Sequence, residues 1–235
     1  MAPVAIVAGG NRVSSAAVAM QLAELGWDVA TFCRDSTASA ETVNRIRETG
    51  RQALAVETDI ADSFSVDAAL GRVCAELGDP NVLVNNVAVT VRDSLSRISD
   101  DDWRAVAGRP LRGLFVASRS VIDPMIRQGW GRIINIADLP ASVASGPHDH
   151  STVRAGLEGF TRTIALELRA FGITVNAIAP APPAADIRAG AGPRIADAAG
   201  PRYAAQIVAA VPFLVSDGAS SVTGQVVHVG DEEMV

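Results

Sequence analysis

Two side chains able to move protons or hold charge stand four residues apart in the segment Gly131–Leu168: His150 and Arg154. A short β-run, Arg132–Ile136, precedes them, and helical periodicity follows. Positions i and i+4 of a helix project from one face, so an imidazole and a guanidinium are expected side by side. Imidazole titrates near ~6.5 and can serve as acid or base at neutral pH. Guanidinium stays charged and offers a planar fork to a carboxylate or an enolate, but it does not shuttle protons. His148 and Asp149 lie close by, yet an i, i+2 pair at a helix start is a weak ligand pattern, and no metal is expected.

The elements that must position this pair alternate along the chain. Val4–Val7, Asp28–Phe32, Ala53–Glu57, Val82–Val84, Ile133–Ile136, Thr174–Ile178 and Val226–Val229 are short runs rich in Val and Ile, suited to strands buried on both faces. Helical patterns fill the gaps: Ser14–Leu25, Ala40–Glu48, Phe64–Leu77, Trp103–Arg127, Ser151–Phe171 and Tyr203–Val215. From Ser151 onward, Val153, Leu157, Phe160, Ile164 and Leu168 share one stripe, which predicts a core-facing helix. Alternation of this kind predicts an α/β fold: a doubly wound, parallel, seven-stranded Rossmann-like sheet with helices on both faces, in one domain spanning 1–235. Ala179–Pro201, rich in Ala, Gly and Pro, reads as a loop where a lid over a pocket would fall.

With 49% hydrophobic and 20% charged residues, the 235-residue chain is expected to fold rather than stay disordered. A net charge of −6 without a basic run argues against nucleic acid or an anionic membrane as partner. No apolar run approaches the about 20 residues that span a bilayer, and no basic n-region or cleavage site opens the chain, so the expected location is cytoplasmic. Cys33 and Cys74 are too few for a disulfide framework or a zinc site and read as buried small hydrophobes. The bias toward small residues and Arg is compatible with secondary metabolism in a high-GC bacterium.

In doubly wound folds the first strand-to-helix turn carries a dinucleotide's pyrophosphate on glycines and a helix N-terminus. Here that turn is Ala8-Gly9-Gly10-Asn11-Arg12-Val13-Ser14-Ser15. It resembles the T-G-x-x-x-G-x-G pattern of the short-chain dehydrogenase/reductase family, matched at Gly9 only, with Val13 and Ser15 at the other glycine positions. Trp103–Val106, Leu111–Phe115, Gly131–Asn135, Ala155–Phe160, Val175–Pro180 and Gly224–His228 extend the resemblance from Val4 to Gly230. It implies a ketoreductase-like chain. It also implies relics of a nucleotide site: Gly9, Arg12, Arg34 at a 2′-phosphate position, Asp59 at an adenine position, and Asn86 in a segment similar to N-N-A-G. Glycines are missing at positions 13, 15, 88 and 181. A branched Cβ at Val13 is expected to intrude on the pyrophosphate, and valine resists positive φ. No bound cofactor is therefore expected, or NADP if redox chemistry survives. His228 sits where relatives often carry the same residue and reads as structural.

Family members act through an Asn-Ser-Tyr-Lys tetrad. Carried over by resemblance, its positions fall on Pro110, Asp138, His150 and Arg154, so that every one differs. Counting forward from the strand places the Ser position at Asp138; counting back from His150 places it at Ala137. The strand register favours Asp138. A carboxylate there, close to His150, would favour the imidazolium and fix its tautomer. Pro110 removes an N–H inside a predicted helix, where a kink or break is expected, and deletes the amide that relatives use to hold a relay water.

Three functions compete on this reading. One is a cofactor-independent acid/base enzyme, of dehydratase, isomerase or cyclase type, acting on a small oxygenated carbonyl compound. His150 would be the acid/base, Asp138 its orienting partner and Arg154 the anion anchor; halohydrin dehalogenases of the same superfamily also work without a nucleotide and carry Arg at the position of Arg154. Another is a non-catalytic subunit paired with an active homologue, since relatives form tetramers through the helices corresponding to Trp103–Arg127 and Ser151–Phe171. The last is an atypical NADP-dependent ketoreductase. Expected partners are a small-molecule substrate and either further copies, as dimer or tetramer, or an active homologue.

Overall fold

Strands built from Val, Ile and Ala on both faces are stable only between two helical layers. The computed structural model describes residues 2–9, 13–88, 99–138, 148–180 and 200–230; the side chains of 88, 138, 148–151 and 200–203 lie outside that description. Strands β1 (Val4–Ala8), β2 (Asp28–Cys33), β3 (Ala53–Glu57), β4 (Pro80–Ala88), β5 (Gly131–Asp138), β6 (Ile173–Pro180) and β7 (Val226–Val229) form one parallel sheet. Its seven strands run in the order β3-β2-β1-β4-β5-β6-β7. The fold is the expected Rossmann-like α/β architecture, and the chain's direction of winding reverses between β1 and β4.

Helices α1 (Val13–Glu24), α2 (Ala40–Glu48) and α7 (Gly200–Val215) cover one face through Val18, Leu22, Ile46, Ile207 and Val211. Helices α3 (Ser63–Glu76), α5 (Arg109–Gln128) and α6 (His148–Leu168) cover the other through Val73, Val121, Met125, Ala165 and Leu168. Cys33 is buried as expected, whereas Cys74 is only half-buried. Burial pushes the thiol pKa of both upward.

Pro110 does not break its helix. A short α4 (Asp100–Trp103) runs through a π-helical turn, Arg104–Gly108, directly into α5, whose second residue is Pro110. The Arg109 N–H bonds the Arg104 carbonyl, five residues back. The donor that proline lacks thus falls just after a π-turn, and the helix runs on without a break. The predicted loop Ala179–Pro201 is shorter than expected: Ala179 and Pro180 finish β6, and Gly200 and Pro201 begin α7. Positions 181–199 lie outside the described residues.

A chain of buried amides and hydroxyls fixes α5 and α6 to the sheet. Asn85 donates to Ser118 Oγ (3.1 Å) and to Asn135 Oδ1 (3.0 Å). Asn135 donates in turn to Thr161 Oγ1 (2.9 Å), which donates to the Leu157 carbonyl (2.8 Å). Asn85, Ser118, Asn135 and Thr161 are all buried. Removing one member leaves the others without partners in a dry interior, at about 1–3 kcal/mol. Asn135→Ala should therefore lower unfolding stability in urea by about 1–3 kcal/mol; an unchanged midpoint would show the chain to be energetically idle.

Candidate functional site

The carboxyl ends of β1, β4 and β5 set the floor of the site. Gly9 follows β1, Asn86 lies two residues before the end of β4, and Ala88 pairs in register with Asp138, the last residue of β5. The strand register thus puts Ala137 opposite Val87 and buries it, leaving Asp138 at the strand's end. Three residues before the end of β4, Asn85 faces α5; the next residue, Asn86, faces α1, as alternation requires.

Gly9 has φ +94°, and a Cβ there would lie 2.8 Å from the Asn86 carbonyl oxygen. Close approach of two strands therefore demands this glycine whether or not a phosphate lies above it. Asn86 Nδ2 donates to Ser14 Oγ (2.8 Å) and Ser15 Oγ (2.7 Å), and Ser15 Oγ donates to the Gly9 carbonyl (2.6 Å). Both serines are buried. Under the turn, then, the volume and hydrogen-bonding capacity that a glycine would leave open are taken by a hydroxyl. Val13 is the first residue of α1 and is 58% exposed, and no non-glycine residue among those described has positive φ. Gly10, Asn11 and Arg12 lie outside the described residues.

Arg34 directly follows β2 and is exposed. Asp59 is engaged within the chain: Oδ1 accepts the Ala61 N–H (3.1 Å) and Oδ2 accepts from Arg109 Nη2 (2.5 Å). Both members of that pair are well exposed, so it is worth little as stability. It does, however, occupy the carboxylate that the resemblance assigns to adenine.

His150 lies in the first turn of α6 and Arg154 one turn further on. The side chains of His150 and Asp138 lie outside the described residues, as do those of His148 and Asp149. Arg154 is described, and it is held. Its Nε donates to Glu158 Oε1 (3.1 Å), and its Nη2 lies 3.3 Å from His228 Nδ1 on β7. Arg154 is 16% and Glu158 24% exposed, which shields the pair from solvent more than a surface bridge. The helix places Glu158 at i+4, toward the C-terminus, so the guanidinium is drawn along α6 and toward β7. His228 lies against Arg154, a contact that spacing alone did not reveal. Among the described residues, no group of three or more His, Cys, Asp or Glu could hold a metal.

At the carboxyl edge, the Ser15 hydroxyl bonds the Gly9 carbonyl, the Asp59 carboxylate is paired with Arg109, and Arg154 is paired with Glu158 and lies against His228.

The fold and the switch-point site define a doubly wound α/β protein of the dinucleotide-cleft type. A family model described as Enoyl-(Acyl carrier protein) reductase matches residues 15–231. The short-chain dehydrogenase/reductase family member NovK of Streptomyces niveus is 38% identical over 232 residues, covering 97% of this chain and 95% of that one. FabG of Pseudomonas aeruginosa, a 3-oxoacyl-(acyl-carrier-protein) reductase, is 34% identical over 236 residues, covering 96% and 95%. The crystal structure of acetoin dehydrogenase YohF from Salmonella typhimurium superposes with a TM-score of 0.81 at 26% identity, covering 98% and 95%. This chain belongs to the short-chain dehydrogenase/reductase family and has ketoreductases among its relatives. No helix among its described residues is long and apolar enough to cross a membrane.

Arg154 and Glu158 give a direct test of this geometry. A double-mutant cycle with Arg154→Met and Glu158→Gln, read by urea unfolding, should yield a coupling of about 0.5–1 kcal/mol. A coupling of zero would mean that the guanidinium is free to face a ligand.

Proposed function

We propose that this chain is a subunit of a ketoreductase-type assembly in which hydride transfer is carried out by a tetrad-complete homologue. One observation carries the reading: the only cation inherited at the lysine position is fastened to Glu158 and His228. A proton relay needs a Lys beside a Tyr, and an anion anchor needs an uncommitted guanidinium. Arg154 cannot supply the first, and for the second it keeps only the N–H groups that Glu158 and His228 leave open. The differences at all tetrad positions, Pro110, Asp138, His150 and Arg154, point the same way. The scaffold, by contrast, is intact from β1 to β7, including the helices α5 and α6.

The reading as a cofactor-independent acid/base enzyme is left with the N–H groups of Arg154 that Glu158 and His228 do not take, and otherwise rests on His150 and Asp138. The reading as an NADP-dependent reductase draws support from two observations: Val13 carries no positive φ and is exposed at the start of α1, and Arg34 is exposed after β2. Its relatives named as reductases give it further weight.

One substitution separates these readings. The purified chain, mixed with NADPH and a panel of 3-oxoacyl thioesters, should show no turnover alone. The same chain added to its tetrad-complete partner should raise that partner's activity, and His150→Ala should leave the increase unchanged. Saturable micromolar NADPH binding with turnover by this chain alone, lost in His150→Ala, would replace the subunit reading by the redox one. Turnover without nucleotide, lost in the same variant, would replace it by the acid/base one.

A further inference from the structure

The Asp59 carboxylate is held from two sides, and only one of them serves the local fold. Asp59 stands two residues past the end of β3, and Arg109 opens α5, the long helix that follows β4. Their ion pair joins these two elements across 50 positions of sequence. The loop around Asp59 is fixed without it. The Asp59 N–H donates to Ser65 Oγ (3.0 Å), the Asp59 carbonyl accepts the Asp62 N–H (2.9 Å), and Oδ1 accepts the Ala61 N–H (3.1 Å). Two further contacts dock the same loop on α5. Arg112 Nε donates to the Ala61 carbonyl (2.7 Å), and Ile60 packs so closely on Gly113 that a Cβ there would lie 2.9 Å from Ile60 Cγ1. Arg104, five residues before Arg109, finds its carboxylate at Asp101 on its own helical stretch. Arg109 instead reaches a second element and takes Asp59 Oδ2, an oxygen the loop does not use.

In a doubly wound sheet a ligand lies outside the carboxyl ends of the strands, where the winding reverses, here between β1 and β4. A dinucleotide laid across that point directs one nucleoside toward β2 and β3, the side on which Asp59 stands. Gly9 at the first turn and the exposed Arg34 after β2 are compatible with such a ligand. The Asp59 carboxylate, as it stands, is not: Oδ2 already accepts from a guanidinium N–H. An aminopurine offers that oxygen the same kind of donor, an exocyclic N–H, so base and guanidinium compete for one acceptor. The Arg109 and Asp59 side chains are 50% and 38% exposed, so the pair is weak enough for a ligand to displace and still lowers that ligand's affinity. We propose that Arg109 is a built-in competitor at Asp59, a specificity-determining residue that selects against nucleosides held through a 6-amino group. The proposal goes beyond the subunit reading and holds whether or not this chain turns over a substrate.

Uncharged nucleosides test it, because removing a guanidinium then has no phosphate to act on. Adenosine and purine riboside, which lacks the 6-amino group, are titrated into wild type, Arg109→Met and Arg109→Met/Asp59→Ala, with binding read by calorimetry and ligand-observed NMR. Arg109→Met should bind adenosine about two- to fivefold more tightly than wild type, the range an exposed ion pair spans. Its affinity for purine riboside should be unchanged, and the double variant should lose the gain. Arg104→Met, which breaks a pair within one helical stretch, should leave both nucleosides unaffected. Circular dichroism checks each fold, and Arg109→Gln stands in should Arg109→Met fail to fold. Equal or weaker adenosine binding by the Arg109 variant, an equal gain for purine riboside, or no saturable adenosine binding by any variant would each overturn the proposal.

Discussion

The buried amide chain from Ser118 through Asn85 and Asn135 to Thr161 is the constraint on which the site depends. Apolar packing alone lets a helix slide along a sheet at small cost, because dispersion contacts have no direction. A hydrogen bond from a fully buried Asn135 to Thr161 fixes the position of α6 along β5. That position in turn fixes how far the residues of the first α6 turns stand from the carboxyl ends of β4 and β5. The partner bonds from Asn85 do the same for α5. These bonds hold α5 and α6 in line with the ends of β4 and β5.

At the opposite, amino edge of the sheet the polarity serves stability. Arg132 is 1% exposed, stacks on Trp130 at 4.1 Å, and donates to the carbonyls of Gly131, Gly172 and Ser216. Burial pulls its pKa downward, and Asp217 opposes that. Trp130 in turn stacks on Trp27 at 5.9 Å. A buried guanidinium bonded to carbonyls through both terminal nitrogens, its Nε left without a partner, and covered by an indole ties β5, β6 and the end of α7 together.

Much of this was legible in the sequence, for a physical reason. Strands buried on both faces must be continuously apolar, and helices covering them must be striped, so both periods survive in the one-dimensional pattern. The strand register of β5 was also legible, and it separated Ala137 from Asp138. Three features were not. Pro110 signals a break by its chemistry, but a π-turn upstream accommodates it, and backbone widening leaves no compositional mark. The exposure of Val13, the first residue of α1, is another, because a glycine motif aligns residues and not side-chain directions. The engagement of Arg154 by His228 joins residues 74 positions apart, which no local spacing encodes. The i+4 half of that bracket, Glu158, could have been found from the sequence, since an Arg followed by Glu four residues later on a predicted helix is an ion-pair signal.

A binding site needs polar groups that folding leaves uncommitted, because a ligand can gain only what the chain has not already satisfied. At the carboxyl edge the described polar groups are turned inward. Asp59 is taken by Arg109 and the Ala61 N–H, the Asn86 amide by two serines, and Arg154 by Glu158 and His228. Asn86 Oδ1 is an exception, buried without a partner beside the first turn. On α5, Arg112 and Arg119 have no carboxylate within ion-pair distance among the described residues, so their charge is left to solvent or to a partner.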